Sequence, residues 1–168
     1  MTPIGGAAER GSENNTKKPE TQERVCWVKC PLLTVPLELE AALRLEGASI
    51  RAGQAPTSRS SSSSSRETPP TVVLCPGGES IDSEVIRIRQ VTPDSPLVVF
   101  GPNADAGIAV EAFRAGANGF VYAGMGSERI ARVISIASEG EVVIPRELLG
   151  ELVGLRLFLK MPKILEEL

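Results

Sequence analysis

Apolar residues fall along this chain in short blocks that alternate between strand-length runs and helix-spaced stripes. The first block, Val25 to Val28, ends at Lys29-Cys30-Pro31, and its length and Val/Trp content suit a buried strand. From Thr34 to Gly47 the spacing changes. Val35, Leu39, Ala42 and Leu43 recur at helical intervals, with Pro36 near the start and Gly47 just past the end. The stretch ASIRA (48–52) reads as a short second strand. After an interruption the alternation resumes with TVVLC (71–75) as a strand, DSEVIRIRQV (82–91) as a helix and PLVVFG (96–101) as a strand. ADAGIAVEAFRAG (104–116) then reads as a helix, GFVYA (119–123) as a strand and GSERIARVISIASEG (126–140) as a helix. In that last helix Ile130, Val133, Ile134 and Ala137 share one face, away from Arg129 and Arg132.

Strands alternating with helices through short Gly/Pro connections predict an α/β fold with a parallel sheet and right-handed crossovers. Three segments stand outside that pattern. Residues 1–23 are polar and aperiodic and read as a disordered arm. Residues 54–70 hold six consecutive serines, Ser60 to Ser65, which bury no apolar area and compete with helical hydrogen bonding, so a flexible loop is expected there. Residues 145–168 carry Leu148, Leu152, Leu155 and Leu159 at helical spacing and read as a connector or oligomerisation helix, with the compact domain (24–144) ending near Ile144.

Composition narrows the function classes. With 168 residues, 42% of them hydrophobic and 23% charged, the chain has room for one soluble domain plus tails. A net charge of −3 argues against direct nucleic-acid binding by this segment. No apolar run approaches a membrane span and the first residues lack a secretory signal pattern, so cytoplasmic residence is the default expectation. There is no histidine, which removes the commonest general base and metal ligand. The three cysteines, an odd number, suit reduced thiols rather than a disulfide framework.

The stretch SPLVVFGPNADAGIAVEAFRAGANGFVYAGMGSERIARVISIASEGEVVIP (95–145) resembles the second half of a bacterial response-regulator receiver domain. VEAFRAGANGFV (110–121) is similar to the family's fourth helix running into its fifth strand, and TPDSPLVVF (92–100) to the turn into its fourth strand. SEGEVVIPRELLGELV (138–153) resembles the segment after the fifth helix in receivers that precede a LuxR-type helix-turn-helix. The likeness covers about residues 24–153. It implies a flavodoxin-like (CheY-like) five-stranded parallel sheet of order 2-1-3-4-5, with function at the carboxyl ends of strands 1 and 3. The family's second helix would fall in the serine-rich stretch and is expected to be short or missing.

Carried over position by position, the resemblance loses its chemistry. The acidic pair that holds a divalent cation in the family is replaced here by Lys29 and Cys30. The phosphorylated aspartate is replaced by Pro76, the reporting hydroxyl by Gly101 and the lysine by Ala123, while the aromatic switch position survives as Phe120. Asp82 lies too far along the chain to serve as nucleophile. Phosphoryl transfer to an aspartate needs a metal against the transferring group, so the resemblance implies a degenerate, phosphorylation-independent receiver with no catalytic residue and no resident metal or cofactor.

Other candidates each carry two readings. Cys30 and Cys75, at the ends of adjacent strands, are either small core residues or a redox or metal half-site; without histidine a four-ligand zinc site is hard to build. Lys29 beside Pro76-Gly77-Gly78 either holds an anion or pairs with Glu79 or Asp82. Arg114, Tyr122, Arg129 and Arg132 mark the family's dimer face, with Tyr122 expected as an exposed aromatic anchor. The expected function is a receiver-like regulatory and dimerisation module of a transcriptional response regulator in a two-component system. The partners implied are a homodimer and a helix-turn-helix DNA-binding domain beyond this chain. The alternative is a sensor for an anion or small ligand in the vacated acidic pocket.

Overall fold

A computed structural model describes residues 24–31, 34–53 and 69–151. The expected arm (1–23), most of the serine-rich stretch with the place of the family's second helix, and residues beyond 151 lie outside the described residues.

The apolar blocks form five strands: β1 (Val25–Lys29), β2 (Ser49–Ala52), β3 (Thr71–Leu74), β4 (Leu97–Gly101) and β5 (Gly119–Tyr122). All neighbours are parallel and the order is β2-β1-β3-β4-β5. Among the described residues four helices complete the fold: α1 (Leu37–Leu45), α2 (Ile81–Val91), α3 (Ala106–Ala115) and α4 (Ser127–Ser138). Helix α1 packs against α4, and α2 against α3, so each pair covers one face of the sheet. Every residue of β3, β4 and β5 is buried, as strands covered on both faces must be. That is why TVVL, LVVFG and GFVY read as unbroken runs rather than alternating ones.

The helical stripes meet the sheet as their spacing predicts. Leu39, Ala42 and Leu43 are buried under α1, and Ile130, Val133, Ile134 and Ala137 under α4. Helix α3 is the best-punctuated element. The Asp105 carboxylate accepts the Ile108 N–H at 3.1 Å, and the helix stops at Gly116, whose φ of 113° is left-handed. Pro36, expected near the start of α1, stands at its N-cap without a side-chain cap hydrogen bond.

Beyond Ile144, where the compact domain is expected to end, residues 146–151 form a helical turn whose Leu148 is buried, and Glu147 pairs with Arg129. The segment before it adds one parallel bridge, Gly119 to Val143, and the Val143 N–H donates to the Asn118 carbonyl at 2.7 Å.

The amino-terminal edge of the sheet is closed by one side chain. Arg89, in the last turn of α2, donates through Nε and Nη2 to the Gly116 carbonyl at 3.0 and 2.6 Å. Its Nη1 donates to the Ser95 carbonyl, and its Nη2 also reaches Asn118 Oδ1. Asn118 Oδ1 accepts the Leu97 N–H at 3.0 Å, so the hub ties α2, the end of α3 and the starts of β4 and β5 together. Burial pulls the Arg89 pKa down, a cost that the planar guanidinium offsets with several hydrogen bonds from one group.

Candidate functional site

At the opposite, carboxyl-terminal edge the structure gathers the positions singled out from sequence. Lys29 ends β1, half-buried, and its carbonyl accepts the Cys75 N–H at 2.8 Å, which extends the β1–β3 ladder one step beyond Lys29–Leu74. Cys30 and Cys75 thereby become lateral neighbours. The half-buried Cys30 thiol donates to the Thr34 carbonyl at 3.3 Å. Cys75 is buried, and that burial, reinforced by the neighbouring Cys30 thiol, pushes its pKa up to about 12. Cys26, four residues earlier on the same face of β1, is raised to about 11 by burial.

Lys29 does not pair with Glu79 or Asp82. The Glu79 carboxylate is held by Arg87 at 2.9 Å, and Asp82 accepts the Ser83 N–H. The physical reason is helical placement: Glu79 and Arg87 flank the same exposed side of α2 and meet without crossing the sheet edge.

Pro76 follows β3, half-buried, with Gly77 tucked under Pro31; a Cβ on Gly77 would come within 3.1 Å of the Pro31 Cβ. The Gly77 N–H donates to Glu84 Oε1 at 2.9 Å, and Glu84 is buried. Across the edge, the Gly124 N–H donates to Glu38 Oε2 at 2.8 Å, so the start of α1 clamps the β5–α4 loop. These two carboxylates are the ones that hold the edge, and each is engaged by a backbone amide. Among the described residues no three Asp, Glu, His or Cys side chains gather where a cation would be held.

Gly101 and Phe120 form the tightest contact at this edge. Phe120 is fully buried in β5, and its Cζ lies 2.6 Å from where a Gly101 Cβ would stand, with Cε2 at 3.0 Å. Any side chain at position 101 collides with the ring in this rotamer. Ala123, expected from the resemblance to stand where the family keeps a lysine, is exposed, and its N–H donates to the Gly101 carbonyl at 3.0 Å.

The residues of the expected dimer face are only partly brought together. Arg114, Arg129 and Arg132 are exposed. Tyr122 is not an exposed anchor. It closes a strand buried along its whole length, and its ring lies 6.5 Å from Phe120 at a 32° tilt. Arg129 and Arg132 line a groove of about 170 Å³ with Met125, Val133, Ile136 and Ile144, while Arg114 stands apart on α3. A second groove of about 380 Å³ runs between α1 and α4.

Sequence reasoning missed Glu84, Glu38 and the Arg89–Asn118 hub. Glu84 left a readable signal, since it falls on the buried stripe Ile81, Val85, Ile88 of α2. Glu38 left none, because its partner is 86 residues away.

Five parallel strands in this order, with α1 and α4 on one face and α2 and α3 on the other, decide the architecture. The chain has the fold of a response-regulator receiver domain. Solved structures agree. A LuxR-family two-component response regulator from Aurantimonas superposes with a TM-score of 0.59 and 21% identity, over 80% of this chain and 99% of that one. A response regulator from Thermotoga maritima gives 0.54 and 18%, over 70% and 98%. A LuxR-family DNA-binding response regulator from Silicibacter pomeroyi gives 0.52 and 18%, over 74% and 98%. At these identities the likeness is one of fold. No family model and no curated protein sequence matches the chain. No helix among the described residues is long and apolar enough to cross a membrane.

Proposed function

We propose that this receiver is a phosphorylation-independent regulatory module of a transcriptional response regulator, cytoplasmic and without enzymatic activity, working through association with a second copy. The observation that carries the reading is the Phe120 ring seated on Gly101. The hydroxyl that would report a phosphoryl group has no room there. Lys29, Cys30 and Pro76 supply neither a nucleophilic carboxylate nor ligands for the cation that phosphoryl transfer needs. Two carboxylates at that edge, Glu38 and Glu84, are held by the amides of Gly124 and Gly77. Incubation with Mg²⁺ and acetyl phosphate is expected to leave the intact mass unchanged. A phosphoryl adduct mapped to an acidic residue of this edge would overturn the reading.

Association is supported by what α4 exposes. Arg129 and Arg132 rim an apolar groove, and Ile136 and Ile144 are exposed beside it. Sedimentation velocity over a range of concentrations tests it. A concentration-dependent dimer that Arg132→Glu weakens is expected, and a monomer at every concentration counts against it. A helix-turn-helix partner, in continuation of the chain or on another one, is the proposed recipient of the signal, because a net charge of −3 leaves this segment poorly suited to bind DNA. The ligand-sensor alternative has less support. Both grooves described above run along α4, away from Lys29 and Pro76.

A further inference from the structure

The Cys30 and Cys75 thiols are side by side at the edge from which phosphoryl chemistry is missing. We propose that Cys30 and Cys75 are an oxidisable thiol pair, closed to a disulfide by peroxide, placed where parallel strands β1 and β3 bring their carboxyl ends into register. The inference goes beyond the dimerisation reading and does not depend on it.

The geometry rests on the ladder. Lys29 faces Leu74, and the Cys75 N–H bonds to the Lys29 carbonyl, so Cys30 and Cys75 are the next pair in register. Their side chains lie on the same face of the sheet as Cys26 and Val28 on β1 and Thr71 and Val73 on β3. Neighbouring strands stand about 4.8 Å apart, inside the roughly 4.4–6.8 Å Cα separation that a disulfide spans. Cys26 is excluded by position, because it faces Thr71 four residues back along β1.

Exposure divides the roles. Cys30 is half-buried and open to a small oxidant, whereas Cys75 is buried. The Cys30 sulfur attacks peroxide; an S–O bond forms, the O–O bond breaks, and the departing hydroxide takes up a proton to leave as water. The Cys75 sulfur then attacks the Cys30 sulfenic acid; the S–S bond forms, the S–O bond breaks, and the Cys75 proton leaves with the hydroxide as a second water. Two thiols are oxidised by two electrons and one peroxide is reduced to two waters. The high pKa of Cys75 makes it the slower, resolving partner. Closing the bond removes the Cys30 thiol from the Thr34 carbonyl, at the root of the loop that leads into α1 and Glu38. The edge thereby acquires a covalent input of its own.

The test uses the full chain exposed to hydrogen peroxide, alkylated, and digested with trypsin without reduction. Cleavage after Lys29 separates Cys26 (peptide 25–29) from Cys30 (30–44), and Cys75 falls in 67–87. A linked 30–44/67–87 species lacking two hydrogens, lost on reduction, is expected. In Cys75→Ala the same treatment should leave Cys30 as a sulfenic acid trapped by dimedone. Cys30 and Cys75 both recovered as separate alkylated peptides after peroxide, or linked indiscriminately with Cys26, would overturn the pair. Sedimentation of the oxidised and reduced forms reads association separately, so a failed disulfide and a failed dimer are told apart.

Discussion

At the amino-terminal edge of the sheet a single guanidinium gathers the carbonyls of Ser95 and Gly116 and the side chain of Asn118, whereas at the carboxyl-terminal edge an aromatic ring lies where a Cβ on Gly101 would stand. The first edge is polar, satisfied and shared among four elements. The second is closed by shape: Phe120 on Gly101, Pro31 over Gly77, and two carboxylates each taken by one backbone amide. In a parallel α/β sheet the carboxyl edge is where loops converge to do chemistry, and the opposite edge serves stability. Here the amino-terminal edge keeps a dense hydrogen-bond network, and the carboxyl-terminal edge is held by close contacts and single amide–carboxylate bonds. The receiver fold survives such an exchange because its energy lies in the buried strands and helix stripes, which neither edge supplies.

That contrast is sharpest at Phe120. Phe120→Ala empties a fully buried site and is expected to cost about 3–5 kcal/mol, measured by urea unfolding. Gly101→Thr attacks the same contact from the other side and should cost about 1–3 kcal/mol through overpacking. Combining Gly101→Thr with Phe120→Leu should return part of that loss. If Gly101→Thr alone is neutral, the ring is free to leave, and the carboxyl edge is not closed by shape.

Alkali compares the edges through their thiols. Cys75, at the carboxyl edge, is held up to about 12, and Cys26, near the start of β1, to about 11, from an ordinary value of 9.0. Between pH 9 and those values the unfolded chain releases thiol protons that the native state retains. Stability is therefore fully present below pH 9 and falls as pH rises toward 11–12. Cys75→Ala should flatten the fall more than Cys26→Ala. Equal slopes in thermal melts taken across this range would contradict the difference in burial.

Arg89→Ala is expected to cost about 2–3 kcal/mol, because several charge-assisted hydrogen bonds disappear while the carbonyl of the buried Ser95 loses its donor. Arg89→Lys should recover little, since an ammonium cannot span the fork. Full recovery by lysine would reduce the hub to a point charge. The smallest effect should come from Glu38→Gln, about 0.5–1 kcal/mol, where a neutral acceptor replaces a charged one on an exposed amide. Its clearer readout is faster hydrogen exchange at Gly124.

Local patterning made most of this molecule legible. Buried strands read as continuous Val/Leu/Phe runs because both faces are covered, and the helices read through their stripes because one face is. The chemistry of single side chains was readable too, since it is known without their neighbours: Lys29, Cys30, Pro76 and Ala123 provide no metal-binding carboxylate wherever they stand. Contacts between distant segments were not legible. Glu38 meets Gly124, and Arg89 meets Gly116 and Asn118, only after the crossovers bring their elements together. Tyr122 illustrates the same limit. An aromatic near a strand end suggests an exposed anchor, and its burial beside Phe120 depends on how α4 covers β5. Residue types and periodicity thus dictated the architecture, because buried runs and helical stripes follow from local patterning. The closure of one sheet edge by a ring, the bracing of the other by a guanidinium and the meeting of two thiols depended on chain packing, because each requires partners that are remote in sequence.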